Sequence, residues 1–265
     1  SDVCSSDLAS PLRGSLPPAG GRATLGRPGG EAKAPLASPL RGSLPPAGEG
    51  ATLGRPGGGA WIYLASQSPR RRDLLQQWGV RPELLLPDDD EDVESLEAVR
   101  GSEAPAVYVQ RVTALKLEAA MARWARRGLP AAPVLCADTT VALGRRILGK
   151  PADAAEARAM LAALSGRTHR VLTAVAVGVP ARRAGGDDRM VQALSVSTVS
   201  FAPLTRAEID RYVAGGEPMG KAGAYALQGQ AALWVRRMTG SHSGIVGLPA
   251  FETAQVLREA GMALY

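Results

Sequence analysis

The segment "ASPLRGSLPPAGGRATLGRPGG" (9–30) recurs as "ASPLRGSLPPAGEGATLGRPGG" (37–58), changed only where Gly21 and Arg22 become Glu49 and Gly50. This duplication confines any fold to the rest of the chain. Neither copy carries a periodic apolar face, and Pro and Gly dominate both. Such a segment cannot bury enough surface to offset its ordering entropy. Two copies are also too few for a repeat architecture. The spacing therefore predicts a disordered, low-complexity tail over 1–60 and one folded domain over 61–265.

Within 61–265 the pattern alternates. "WIYLA" (61–65) reads as a buried strand. Ser68 is placed as an N-cap and Pro69 as the first helical residue, with Gly79 ending that helix. "RPELLL" (81–86) is a second strand, followed by the acidic loop "PDDDEDVE". Residues 104–127 read as a long helix carrying Val107, Val112, Leu115 and Met121. "PVLCADTTVAL" (133–143) is an apolar strand interrupted by Asp138, Thr139 and Thr140. A turn leads to "ILGKP", then a helix at 153–164. Two long strands at about 168–179 and 190–201 flank the polar hairpin "PARRAGGDDR". A helix at 205–214, the Gly-rich loop 216–229, a strand at 231–238 and a helix at 249–260 complete the chain. Strands alternating loosely with helices, some pairing as hairpins, give an α/β domain with a mixed sheet flanked by helices.

Composition narrows the partners. The net charge is +6, and of 31 basic residues four are lysine: Lys33, Lys116, Lys150 and Lys221. A basic chain suits an acidic partner such as nucleic acid, an anionic membrane or a phosphorylated small molecule, although a general arginine bias gives the same total. Aromatics make up 4% of the chain, few for base stacking, and no continuous basic stripe runs through 61–265, so no nucleic-acid partner is expected. No apolar run nears the roughly 18 residues of a membrane span. The two cysteines, Cys4 and Cys136, stand in unlike contexts, which fits a reducing, cytoplasmic compartment rather than a disulfide framework.

Three features carry chemistry. In "LASQSPRRRDLL" a strand, a polar turn and a helix start form an anion site, with Arg forks suited to phosphate. The usual residues of a first helical turn are Asp and Glu, so Arg70, Arg71 and Arg72 there imply a negative ligand; the alternative is a basic, solvated helix end. Asp138 at the end of an apolar strand is costly unless paired, metal-bound or functional, the alternative being a strand-end cap. The third feature is the survival of Lys116, Lys150 and Lys221 in a chain that otherwise uses Arg. The acidic run 88–92 lacks EF-hand spacing, and His169, His242 and Cys136 read as structural.

Together, "LASQSPRRRDLL", "CADTTVALGRRILGKPADAAEARAMLAALSGRTHRVLTAVAV" and "GEPMGKAGAYALQGQAALWVRRMTGSHSGIVGLP" resemble the Maf family of nucleoside triphosphate pyrophosphatases, in order and over essentially all of 61–265. The resemblance implies an elongated mixed sheet of the Maf/ITPase type, with two lobes and a cleft between them. It implies a house-cleaning activity linked to cell-division arrest: cleavage of a nucleoside triphosphate between its α and β phosphates, with Mg²⁺ or Mn²⁺. It places Asp138 as general base, Lys116 and Lys150 as catalytic lysines, and Glu91 as the catalytic acidic residue that shares the metal with Asp138. Ser66, Ser68, Arg70, Arg71, Glu217 and Lys221 fall to substrate binding. Arg70, Thr139 and Gln228 fall to base specificity, in the pattern that resembles the subgroup acting on dTTP and UTP. Gly220 departs from the family's usual Asp, and Ala226 from a common Gly. The family analogy adds a homodimer as a candidate assembly. A basic nucleic-acid-binding protein and a non-catalytic regulator of septum formation are the alternatives.

Overall fold

A computed structural model of the chain describes residues 60–181 and 188–264. The duplicated tail and the centre of the hairpin 180–189 lie outside the described residues. A mixed sheet runs in the order β2-β1-β3-β5-β6-β7, with the short β4 paired to β3. Its strands are β1 (Trp61–Leu64), β2 (Arg81–Leu84), β3 (Val134–Leu143), β4 (Arg146–Leu148), β5 (Thr168–Val179), β6 (Arg189–Phe201) and β7 (Val235–Thr239). β1 is parallel to β2 and β3, and the remaining pairs are antiparallel. The helices are α1 (Pro69–Gln77), α2 (Pro105–Arg126), α3 (Ala154–Leu164), α4 (Arg206–Ala214), α5 (His242–Val246) and α6 (Ala250–Glu259).

Side chains alternate across the sheet, so each strand feeds two cores. Even-numbered residues of β3 and β5, such as Val134, Cys136, Ala142, Leu172 and Ala174, meet α2 through Val109, Val112, Leu117 and Ala120. Odd-numbered residues face the other side, where two cores lie end to end. Leu135, Ala137, Val175 and Val177 join Leu75 of α1 and Leu257 of α6 in one. Val141 and Val171 join Leu161 of α3 and Ile209 of α4 in the other. Between them the odd face turns polar. Thr139 Oγ1 lies 2.9 Å from Thr173 Oγ1, and Thr173 donates to Gly244 O at 2.8 Å. This polar seam separates the two cores on that face of the sheet.

Four local expectations change. Ser68 sits at the N-cap position of α1 but its side chain makes no capping bond; instead its own amide donates to Ser66 Oγ at 3.2 Å. Val107 is exposed, because the sheet-facing stripe of α2 runs through 109, 112, 117 and 120. The strand expected at 231–238 begins only at Val235, since Gln230–Trp234 forms a 3₁₀ turn that leaves Leu233 exposed. The loop "TGSHSGIVGLP" contains α5, capped by Ser241 Oγ accepting from Gly244 N at 3.0 Å.

Candidate active site

β1 stops at Leu64, paired with Leu135, while β3 runs on to Leu143. The turn 65–68 and the start of α1 therefore lie beside the Ala137–Thr139 stretch of β3. Here a cavity of about 900 Å³ opens, lined by Ser66, Ser68, Arg70, Arg71, Glu91, Glu97, Lys116, Asp138, Thr139, Lys150, Lys221 and Gln228. Every site residue expected from the sequence lines it, with the exception of Glu217.

The arginines meet backbone carbonyls at the end of α5. Arg71 donates from Nε to Gly247 O at 2.9 Å and from Nη1 to Ser66 Oγ at 3.0 Å. Arg70 Nε reaches Val246 O at 3.4 Å. Burial lowers the Arg71 pKa and nearby Asp138 opposes that shift. Arg72 is exposed and lies 3.7 Å from its neighbour Asp73, away from this arrangement.

Helical spacing explains the cations on the other wall. Lys116 and Arg123 are seven residues apart, so both fall on the sheet-facing stripe of α2. Lys116 Nζ donates to Asp138 Oδ1 at 2.6 Å and to Glu97 Oε1 at 2.7 Å. Lys150 Nζ donates to both Glu97 oxygens, at 2.8 and 3.0 Å. Burial opposes the charge on Lys116, but Asp138 and Glu97 outweigh it and hold its pKa above the lysine range. Glu97 is likewise held below the carboxylate range: burial pulls it up, and the two lysines outweigh that pull.

Arg123, buried at 2% exposure, instead takes Glu91. Its Nε donates to both Glu91 oxygens at 3.0 and 3.1 Å, and its Nη1 donates to Leu85 O at 3.0 Å. Arg126 also holds Glu91, at 2.6 Å. The Arg123 hydrogen bonds press the Glu91 pKa down to about 2. Glu91 thus pins the acidic loop to α2, while Glu97 stands between the lysines. Sequence reading missed Glu97. Its only local signal is Tyr108, one turn into α2, whose Oη donates to Glu97 O at 2.9 Å and fixes where that turn sits.

Glu217 is turned into its own loop. Tyr212 Oη donates to Glu217 Oε1 at 2.9 Å and Gln230 N to Glu217 Oε2 at 3.1 Å. His169 is buried and lies 2.9 Å from Tyr225 Oη through Nε2. Burial lowers the His169 pKa to about 4.

The arrangement can be tested against a divalent cation. Among the described residues no group of three or more His, Cys, Asp or Glu converges, so an all-protein cage is absent there. Asp138 and Glu97 nevertheless each place an oxygen on the same point, now met by Lys116 Nζ. The donor set fits a Mg²⁺-like ion, completed by water and phosphate oxygens, only with Lys116 Nζ moved off that point.

The model of the Maf-like protein family matches residues 61–260. A dTTP/UTP pyrophosphatase of Polaromonas sp. (strain JS666 / ATCC BAA-500) is 61% identical over 203 residues, covering 77% of this chain and 97% of the relative. One from Cupriavidus metallidurans (strain ATCC 43123 / DSM 2839 / NBRC 102507 / CH34) is 63% identical over 201 residues, covering 76% and 97%. A solved nucleoside-triphosphatase, dITP/XTP pyrophosphatase, from Mycobacterium abscessus aligns with 54% of this chain and 75% of its own at 19% identity and a TM-score of 0.31, a likeness that adds nothing to the assignment. The chain belongs to the Maf family. No helix among the described residues is long and apolar enough to cross a membrane.

Proposed function

We propose that this chain hydrolyses nucleoside triphosphates, dTTP and UTP foremost, to the monophosphate and pyrophosphate. The observation that carries the reading is one cavity whose wall brings Arg70, Arg71, Lys116, Lys150, Asp138 and Glu97 together with Thr139 and Gln228. The names of the 61% and 63% identical relatives support the choice of base.

A triphosphate carries about four negative charges, so the protein's main tasks are positioning and charge stabilisation. Arg70 and Arg71, preset by the carbonyls of Val246 and Gly247, offer their remaining donors to phosphate. Lys116 and Lys150 are held at the cavity wall by Glu97, placed to offset charge on the bridging and leaving oxygens. Asp138 orients the attacking water and accepts its proton. The water oxygen forms a bond to phosphorus as the α–β bridging bond breaks, and pyrophosphate leaves with that electron pair. Asp138 and Glu97, rather than Glu91, are the residues to hold Mg²⁺ or Mn²⁺, which when bound supplies charge neutralisation and a more acidic water. Thr139 and Gln228 are the candidates for reading the base, and Lys221 for a further phosphate contact.

The test is to incubate the full chain with a panel of ribo- and deoxyribonucleoside triphosphates, with Mg²⁺ or with Mn²⁺, and to assay pyrophosphate. Release from dTTP and UTP ahead of purine nucleotides is expected. No release from any nucleotide overturns the reading.

A further inference from the structure

The loop that carries Gln228 is built with more anchoring than its surface position requires. At its start Gly223 N donates to Gly149 O at 3.0 Å, next to Lys150. Gly223 has φ 69°, and a Cβ there would lie 2.8 Å from Val141 Cγ2, so no other residue fits. Ala224 follows at φ 61°, a left-handed conformation costly to a residue with a Cβ. Such a backbone persists where surroundings over-determine it. Tyr225 is then fixed by His169, 2.9 Å away, and by edge contacts of its ring with Phe201.

The segment that reaches into the cavity, Ala226 to Gln228, is tied at both ends through one chain of hydrogen bonds. Ala226 N donates to Tyr212 Oη at 3.3 Å. Tyr212 Oη donates to Glu217 Oε1 at 2.9 Å. Glu217 Oε2 accepts from Gln230 N at 3.1 Å. Burial, and next the Glu217 carboxylate, raise the Tyr212 pKa, which keeps the hydroxyl protonated and donating. Between these ties Gly229 packs directly on the carboxylate: a Cβ on Gly229 would lie 1.9 Å from Glu217 Oε1. The same residue reaches the cavity from the other side, because Lys221 Nζ donates to Glu217 O at 2.5 Å. Glu217 itself does not line the cavity. Its carboxylate therefore acts on the cavity only through the segment it holds, by Tyr212 Oη and Gln230 N.

We propose that Tyr212 and Glu217 form a latch that sets the position of the Ala226–Gln228 segment, and so are positioning residues for base selectivity rather than substrate ligands. This rests on the proposed function, in which Gln228 meets the base. A shape-fixed reader loses discrimination when its support loosens, since the error appears in how the base fits and not in the phosphate chemistry. Removing one bond of the latch should therefore alter KM and leave kcat.

The experiment uses the full chain and two variants. Tyr212→Phe removes the hydroxyl and keeps the ring packed against Trp234, 4.7 Å away. Gly229→Ala displaces the Glu217 carboxylate from the opposite side. Amide hydrogen exchange of the 222–230 segment, measured without nucleotide, reads the latch itself; both variants should exchange faster there and unchanged protection overturns the latch. The ratio of kcat/KM for dTTP to that for dGTP reads its purpose. That ratio should fall roughly fivefold, the size of one ordinary hydrogen bond, through KM and with kcat for dTTP within about twofold. Faster exchange with an unchanged ratio, or an equal loss of kcat on both nucleotides, overturns the assignment to selectivity. Absence of turnover in the unmodified chain overturns the functional reading instead, and the exchange measurement still decides the latch.

Discussion

The Lys116 ammonium lies 2.6 Å from the Asp138 carboxylate, with the carboxylate at 12% side-chain exposure. The proposed base is thus ion-paired before substrate arrives. In the proposed mechanism a triphosphate would compete for the same lysine, and a Lys116 turned to phosphate would free the carboxylate for the water. Asp138→Asn keeps the shape and one hydrogen bond but cannot accept the proton. We expect dTTP affinity within about threefold of the unmodified chain and kcat lower by roughly 10²–10⁴, the range for general-base catalysis. Isothermal titration and a pyrophosphate assay measure the two quantities. Near-normal turnover sinks the role of Asp138.

Glu97 and Glu91 make opposite predictions. Glu97→Gln removes the charge that holds Lys116 and Lys150 and one proposed metal oxygen. Its kcat should fall by about 10-fold or more, with a higher Mg²⁺ concentration needed for half-maximal rate. Glu91→Gln should leave turnover within a few-fold and cost about 2 kcal/mol of stability near pH 7, because it weakens a charge-assisted bond to buried Arg123. The Glu91 pKa is lowered from 4.5 to about 2 in the folded chain, so its stabilisation is present above pH 4.5 and is lost as pH falls toward 2. Urea unfolding of each variant and a Mg²⁺ titration of rate distinguish them. If Glu91→Gln abolishes turnover and Glu97→Gln does not, the two assignments exchange.

This pair also marks how far the sequence was legible. Asp138 was readable because a carboxylate inside "PVLCADTTVAL" breaks an apolar run, and the strands around it are long enough to be periodic. β5 spans Thr168–Val179, where a long strand was expected at about 168–179. The loop 87–103 has no period, and its charges look alike one residue at a time. Which carboxylate is neutralised by a helix cation depends on the stripe of α2, where Lys116 and Arg123 both face inward and draw different acids. Glu217 was misjudged for a related reason: its motif sits in the Gly-rich loop, but only the fold reveals that Tyr212 turns it away from the cavity. The strand before "TGSHSG" was overextended because "AALWVRRM" is apolar enough for a strand, whereas the 3₁₀ turn packs Ala231 and leaves Leu233 outside.

The arginines at the start of α1 can be separated by substitution. Arg71 makes two bonds in a fixed fork, to Gly247 O and Ser66 Oγ, which a lysine cannot reproduce. Arg71→Lys should raise KM for dTTP by about tenfold even though the charge is kept. Arg70→Ala should raise KM as well, with little change in unfolding midpoint, since its one bond to Val246 O is long. Arg72→Ala should change neither. Steady-state kinetics on the three variants reads this order, and an unchanged KM for Arg70→Ala returns that arginine to the solvated helix face.

Acid should destabilise the chain through its buried imidazole. His169 is buried at 2% exposure among Phe201 and Tyr225, and burial lowers its pKa from 6.5 to about 4. Above pH 6.5 it is neutral in both folded and unfolded chains and has no effect on the balance. Between about 6.5 and 4 the unfolded chain takes up a proton that the folded chain refuses, so stability falls as pH falls, by at most about 1.4 kcal/mol per pH unit. Carboxylates also titrate toward the acid end of this range, so the comparison must be with a variant that lacks only the imidazole. His169→Gln keeps a polar atom for Tyr225 Oη and cannot titrate. Plotted against pH, the urea-derived stability of the unmodified chain should fall more steeply than that of the variant from about pH 6.5 downward, and the two slopes should converge below about pH 4. Parallel curves through that window refute a neutral, buried His169. A steeper fall accompanied by faster amide exchange at Tyr225 and Ala226 would place the first acid-sensitive opening at the loop that this imidazole supports.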